Sequence, residues 1–166
     1  MTVREVFPNV DANALLAGAQ FMDAYRVVAS ANALTARQAT ERMLMGPRWI
    51  GALMRLRNII VAPLGLKTSG EQGPSPGGLI GMFPVVSETP ERVVAGFNDV
   101  HLDFRVVVDV APIEGGRQVT ATTLVLTHNP FGRTYLALVL PFHRRIVRSM
   151  LRQVAAGCGV VRRDCG

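Results

Sequence analysis

Lysine is nearly absent from the chain. Lys67 is the only one, so the excess of 18 basic over 12 acidic residues is carried almost wholly by arginine. Cysteine is scarce too: Cys158 and Cys165 lie near the end, with no second Cys or His pair to complete a zinc site, which reads as free thiols in a tail. No run of about 18 uncharged apolar residues occurs, because the longest candidate, Tyr135 to Phe142, stops at His143-Arg144-Arg145. A membrane-spanning helix is therefore excluded. The first residues carry Arg4, Glu5, Pro8 and Asp11 where a leader needs an unbroken apolar stretch, so no signal peptide is read and a cytoplasmic location is expected. Phosphate-loop and dinucleotide glycine patterns are missing, as are the Gly-x-Ser-x-Gly elbow and the His-x-Glu and His-x-x-x-His spacings. Neither a cofactor nor a metal is expected.

Hydrophobic residues make up 49% and charged residues 18% of the 166, enough for one core and too apolar for a disordered chain. The length suits a single domain at roughly 100 to 200 residues each. Residues 1–20 read as an irregular lead-in with a helical turn near Ala12 to Gln20. Residues 21–157 read as the domain, and 158–166 as a basic tail.

From Asp23 to Ala29 the pattern alternates, with Tyr25, Val27 and Ala29 on one side, and this predicts the first strand. Thr35-Ala36-Arg37-Gln38 is a capping box that should open a helix ending at Gly46. Pro47 can open a second helix whose Trp49, Leu53, Leu56 and Ile60 share one face. Residues 67–78 are rich in glycine, proline and serine without an apolar period, so they form a surface loop or lid. Beyond them the period becomes two. Leu79 to Ser87, Glu91 to Phe97, His101 to Ile113 and Arg117 to His128 predict an antiparallel meander, with Gly115-Gly116 as a two-residue hairpin loop. Asn129 as N-cap and Pro130 at the first position then begin a helix to about Ala156, kinked or restarted at Pro141. The expected class is α+β: an antiparallel sheet with a long C-terminal helix and two short helices after the first strand.

A Gly115-Gly116 loop would place Asp103 opposite His128 and Arg105 opposite Leu126, with His101 on the same face. Such a cluster on a polar outer face is ordinarily structural, while a bulge turning it inward would let Asp103 orient His128 as a general base. On the last helix Leu136, Leu140, His143, Val147, Leu151 and Val154 form one stripe, so His143 should point at the sheet. Arg144, Arg148 and Arg152 recur at i, i+4 and i+8, a solvated face or an anion-binding stripe. No interleaved aromatics accompany it, which speaks against nucleic acid.

Several segments carry a family resemblance: Asp23-Ala24-Tyr25-Arg26-Val27, Pro47-Arg48-Trp49, Leu56-Arg57-Asn58, Pro63-Leu64-Gly65-Leu66-Lys67-Thr68, His101-Leu102-Asp103-Phe104-Arg105, Thr127-His128-Asn129, Gly132-Arg133-Thr134-Tyr135 and Pro141-Phe142-His143-Arg144. Over about residues 20–155 the chain resembles an uncharacterised bacterial domain-of-unknown-function family, found alone or behind sugar-epimerase-like domains. That family is placed in the START-like (SRPBCC, helix-grip) superfamily of polyketide cyclases and pollen-allergen-like carriers. The resemblance implies a sheet curled around the C-terminal helix with an apolar cavity between them, and it transfers no catalytic residue. Only about five strands are clear where a full helix-grip domain has seven. Within that fold Trp49, Leu53, Phe83, Phe104, Leu140 and His143 are the expected cavity-facing positions.

The leading expectation is thus a module that binds a small, largely apolar molecule. The alternatives are an enzyme of cyclase, dehydratase or hydrolase type, using His143 or the Asp103 and His128 pair for proton transfer, and an interaction module, either a homo-oligomer through an exposed sheet edge or a partner for an anionic surface bound by the Arg144, Arg148 and Arg152 stripe.

Overall fold

The computed structural model describes residues 2–30, 33–44, 77–81 and 83–157. Within them the chain forms β1 (Arg4–Val6), α1 (Ala12–Leu16), β2 (Phe21–Ala29), α2 (Ala36–Leu44), β3 (Leu79–Ile80), β4 (Phe83–Glu88), β5 (Arg92–Asn98), β6 (Leu102–Ile113), β7 (Gly116–Thr127) and α3 (Pro130–Ala156). The expected second helix with Trp49 and Leu53, nearly all of the 67–78 loop and the 158–166 tail lie outside the described residues.

The helix starts follow from local chemistry. At α2 the Gln38 amide donates to the Thr35 hydroxyl while the Thr35 amide donates to the Gln38 side chain, both at 3.3 Å, which is the reciprocal capping box. At α3 the Asn129 side chain accepts from the Gly132 amide at 2.9 Å and Pro130 takes the first turn, where its missing N–H costs nothing. The helix runs unbroken through Pro141, an exposed position at which the carbonyl left unpaired one turn earlier can meet water.

All seven strands form one antiparallel sheet in the order β1-β2-β7-β6-β5-β4-β3. The α+β class is as expected, with seven strands where the sequence displays five. The lead-in is not wholly irregular: β1 pairs with β2, Glu5 opposite Tyr25, and α1 is capped by Asp11. The hairpin differs as well. Its loop is Glu114-Gly115, with Ile113 opposite Gly116, so Asp103 opposes Leu126 and Arg105 opposes Leu124. Gly115 takes the left-handed turn position at φ +76, and Gly116 opens the strand at a place where the Ala29 carbonyl leaves no room for a Cβ. The shift moves each pairing by two positions, so every side chain stays on its expected face.

One face packs under α3 and α2. Val27, Ala29, Val108, Val110, Val119 and Ala121 meet Val147, Leu151, Val154 and Ala155 of α3 and Ala36, Ala39 and Met43 of α2. Each buried Val or Leu there contributes about 1.5–3 kcal/mol. The opposite face carries a smaller cluster of Val94, Val107 and Leu124 beneath Leu16 of α1. Among the described residues no helix is long and apolar enough to cross a membrane.

Candidate functional site

Antiparallel pairing arranges the inner face of the sheet in rows. Phe21, Val125, Phe104 and Phe97 stand side by side on β2, β7, β6 and β5, and Asp23, Thr123, Val106 and Ala95 form the next row. Phe83 of β4 joins the first row, its ring 5.5 Å from that of Phe104 and 6.3 Å from that of Phe97, while Phe97 and Phe104 are 5.6 Å apart. These four phenylalanines are only partly buried, unlike the valines further along the same face. The stripe on α3 changes in the same way: Leu136, Leu140 and His143 are partly exposed, and Val147, Leu151 and Val154 are buried.

Where aromatic row and helix meet, His143 points at the sheet. Its Nε2 lies 3.2 Å from Asp23 Oδ1, and its ring stands edge-on to Phe21 at 6.0 Å. Asp23 sits in the inward phase of the β2 alternation, two residues before Tyr25, and is 8% exposed. Its second oxygen, Oδ2, is buried without a hydrogen-bond partner among the described residues, and the same is true of the Tyr25 hydroxyl and of Arg148 Nε. The Arg148 guanidinium lies over the Tyr25 ring at 5.2 Å and also reaches Glu5 of β1 at 3.1 Å. Burial raises the Tyr25 hydroxyl above its usual pKa, the Asp23 and Glu5 charges push the same way, and Arg148 and Arg144 oppose them. The phenol therefore keeps its proton and can donate.

The second expected cluster is elsewhere. On the outer face His128 Nε2 lies 3.1 Å from Asp103 Oδ1, a diagonal contact since the two are not register partners, and the Asp99 amide donates to the same oxygen at 3.2 Å. His101 accepts the His128 amide on its carbonyl at 2.9 Å and the Asn129 side-chain amide on Nδ1 at 2.8 Å, with its ring 4.8 Å from that of Phe131. Arg105 donates to the Phe97 and Phe104 carbonyls and to Asn98, and desolvation lowers its pKa, against the favourable Asp103 charge. The His128, Asp103, His101 and Asn129 contacts fasten the β5–β6 turn to the end of β7 and the start of α3, while Arg105 ties β5 to β6. The arrangement clamps backbone and presents no unpaired histidine to a cleft.

Of the expected positions, Phe83, Phe104, Leu140 and His143 lie on the inner face of the sheet or the sheet-facing stripe of α3, Asp103 and His128 pair on the other face, and Trp49 and Leu53 fall outside the described residues. Asp23, Tyr25, Glu5 and Arg148 were not singled out as site residues from the sequence. The available signal was an aspartate in the buried phase of a strand, since an acidic side chain among inward apolar neighbours needs a partner.

A family model described as "Protein of unknown function (DUF2867)" matches residues 15–150, most of the chain, and the chain belongs to that family. No functionally curated protein matches it. Among solved structures it is similar to a structural-genomics target from Rhodobacter sphaeroides, at 12% identity and TM-score 0.49, covering 96% of this chain and 99% of that one. It is also similar to one from Chromobacterium violaceum, at 14% identity and TM-score 0.40, covering 82% and 96%.

Proposed function

We propose that this family member is a small-molecule binding module of the START-like, helix-grip kind, which takes a largely apolar ligand between the inner sheet face and the first half of α3. The reading is carried by one observation: a row of partly exposed phenylalanines ends at a buried polar group, Asp23, Tyr25 and His143, two of whose atoms lack protein partners. Apolar walls with a few convergent polar groups are the usual composition of a ligand site. The succession of β2, α2, an antiparallel meander and a long C-terminal helix, with β2 beside β7, supports the helix-grip assignment.

The polar end narrows the ligand. Asp23 Oδ2 requires a donor and the Tyr25 hydroxyl an acceptor, which an alcohol or amide head group supplies together. An anionic head would meet the Asp23 carboxylate. Native mass spectrometry of protein purified gently from its own host tests this. The expected result is a stoichiometric small molecule released on denaturation. A bare mass, together with no thermal shift from a panel of lipids and neutral metabolites, contradicts it.

A second reading, an enzyme of cyclase, dehydratase or hydrolase type, is favoured by the Asp23 contact with His143. A carboxylate on one imidazole nitrogen fixes the orientation of the ring, as a general base requires. On that reading His143→Ala abolishes turnover of the bound molecule while leaving its binding largely intact. Unchanged turnover rules it out.

A further inference from the structure

The side of α3 turned away from the sheet carries a pattern that the ligand site does not use. Leu138, Phe142, Arg145, Ser149 and Arg152 follow one another at intervals of four and three, a single line along the helix opposite the buried stripe. Leu138 is 68% and Phe142 58% exposed, two large apolar side chains one turn apart in water. Arg145 and Arg152 are exposed on the same line and have no ion-pair partner among the described residues. Throughout its 27 residues α3 has no aspartate or glutamate.

An ordinary solvated helix face mixes charges of both signs, which stabilises it through pairs one turn apart. This face has one sign only, next to exposed leucine and phenylalanine. The charge calls for an anionic partner and the apolar pair for one with hydrocarbon just beneath its charge. A bilayer of anionic lipid offers both, phosphates for the arginines and the headgroup–acyl boundary for Leu138 and Phe142. A nucleic acid would use the arginines but has no place for Leu138. From Leu138 to Arg152 the line is about 20 Å long, so all of it can lie in one membrane plane.

We propose that the outer face of α3 docks the protein on anionic lipid membranes, with Arg145 and Arg152 on the headgroups and Leu138 and Phe142 inserted. The docking does not depend on the ligand site. The test is sedimentation of the full chain with vesicles of mixed phosphatidylglycerol and phosphatidylcholine, against phosphatidylcholine alone and against polyuridylic acid. Binding is expected to the mixed vesicles only, and to weaken as salt is raised. Replacing Arg145 and Arg152 together by glutamine should weaken it roughly 25-fold, about five-fold for each charge. Leu138→Ser with Phe142→Ser should weaken it about 10-fold at constant charge. All four side chains are exposed, and an unchanged melting temperature verifies the fold of each variant. The proposal is overturned by absence of binding to the mixed vesicles at low salt, by binding that survives the double arginine change, by binding indifferent to the two serines, or by tighter binding to polyuridylic acid than to vesicles.

Discussion

The two halves of the interface between α3 and the sheet are built on different principles. In the second half Val147, Leu151 and Val154 are buried against Val27, Val108 and Val119, an apolar contact on both sides. In the first half phenylalanines stay partly exposed, and Asp23 Oδ2 and the Tyr25 hydroxyl are buried without protein partners. An unsatisfied buried polar group costs about 1–3 kcal/mol, so the first half sacrifices stability that an apolar substitution would recover. The second half holds the fold together, and the first half leaves two buried polar atoms whose cost the hydrogen bonds of a bound molecule or of a water would offset.

Substitutions should separate the halves by size and by kind. The largest loss is expected for Leu151→Ala, which removes a fully buried side chain from the apolar half and should destabilise by about 2–5 kcal/mol in urea unfolding. Next is Gly132→Ala at the start of α3. A Cβ there would run into the His101 carbonyl, and the helix start must shift, costing about 1–3 kcal/mol by the same measurement. His128→Ala on the outer face should cost only about 0.2–1 kcal/mol and leave ligand retention unchanged, because the pair with Asp103 is a clamp on backbone.

Tyr25→Phe should have the smallest effect on the ligand-free protein at neutral pH, between none and a gain of about 1 kcal/mol, since it deletes a hydroxyl that has no protein partner. Its signature lies in alkali. Burial first, then the Asp23 and Glu5 charges, hold the folded Tyr25 pKa above the ordinary 10.0 at which the unfolded chain ionises. The folded state therefore keeps a proton that the unfolded state releases. That contribution is complete below 10.0 and is lost as pH rises through the folded value. Urea midpoints measured across this range should fall more steeply for the wild type than for Tyr25→Phe. Equal slopes would mean the hydroxyl is not in a dry, negatively biased setting.

The apolar half was far more legible in the sequence than the polar half. Alternation over His101 to Ile113 and Arg117 to His128 and the three-four spacing on the last helix are local patterns, and they place Val108, Val119, Leu151 and Val154 on the core side without knowledge of the register. The Thr35 capping box and the Asn129-Pro130 start are equally local. By contrast, β1 and β3 have three and two residues and exist because a neighbouring strand supplies hydrogen bonds, so propensity does not reveal them. The hairpin register differs by two because Glu114-Gly115 and Gly115-Gly116 both suit a two-residue turn and the local sequence does not choose between them. Asp23 and His143 are 120 residues apart, and nothing in either neighbourhood names the other. Arg148 belongs to the arginine stripe by spacing, yet it leans over Tyr25 toward Glu5, because its position on the helix lies at the flank beside β1.

The most direct test is a crystal structure of protein purified gently from its own host, read at Asp23 and Tyr25. A bound molecule that places polar atoms within about 3 Å of Asp23 Oδ2 or the Tyr25 hydroxyl, with its apolar part over Phe21, Phe97 and Phe104, is the predicted result. A single ordered water satisfying both atoms, with side chains closing the space above the phenylalanines, would contradict it and make the first half of the interface as structural as the second.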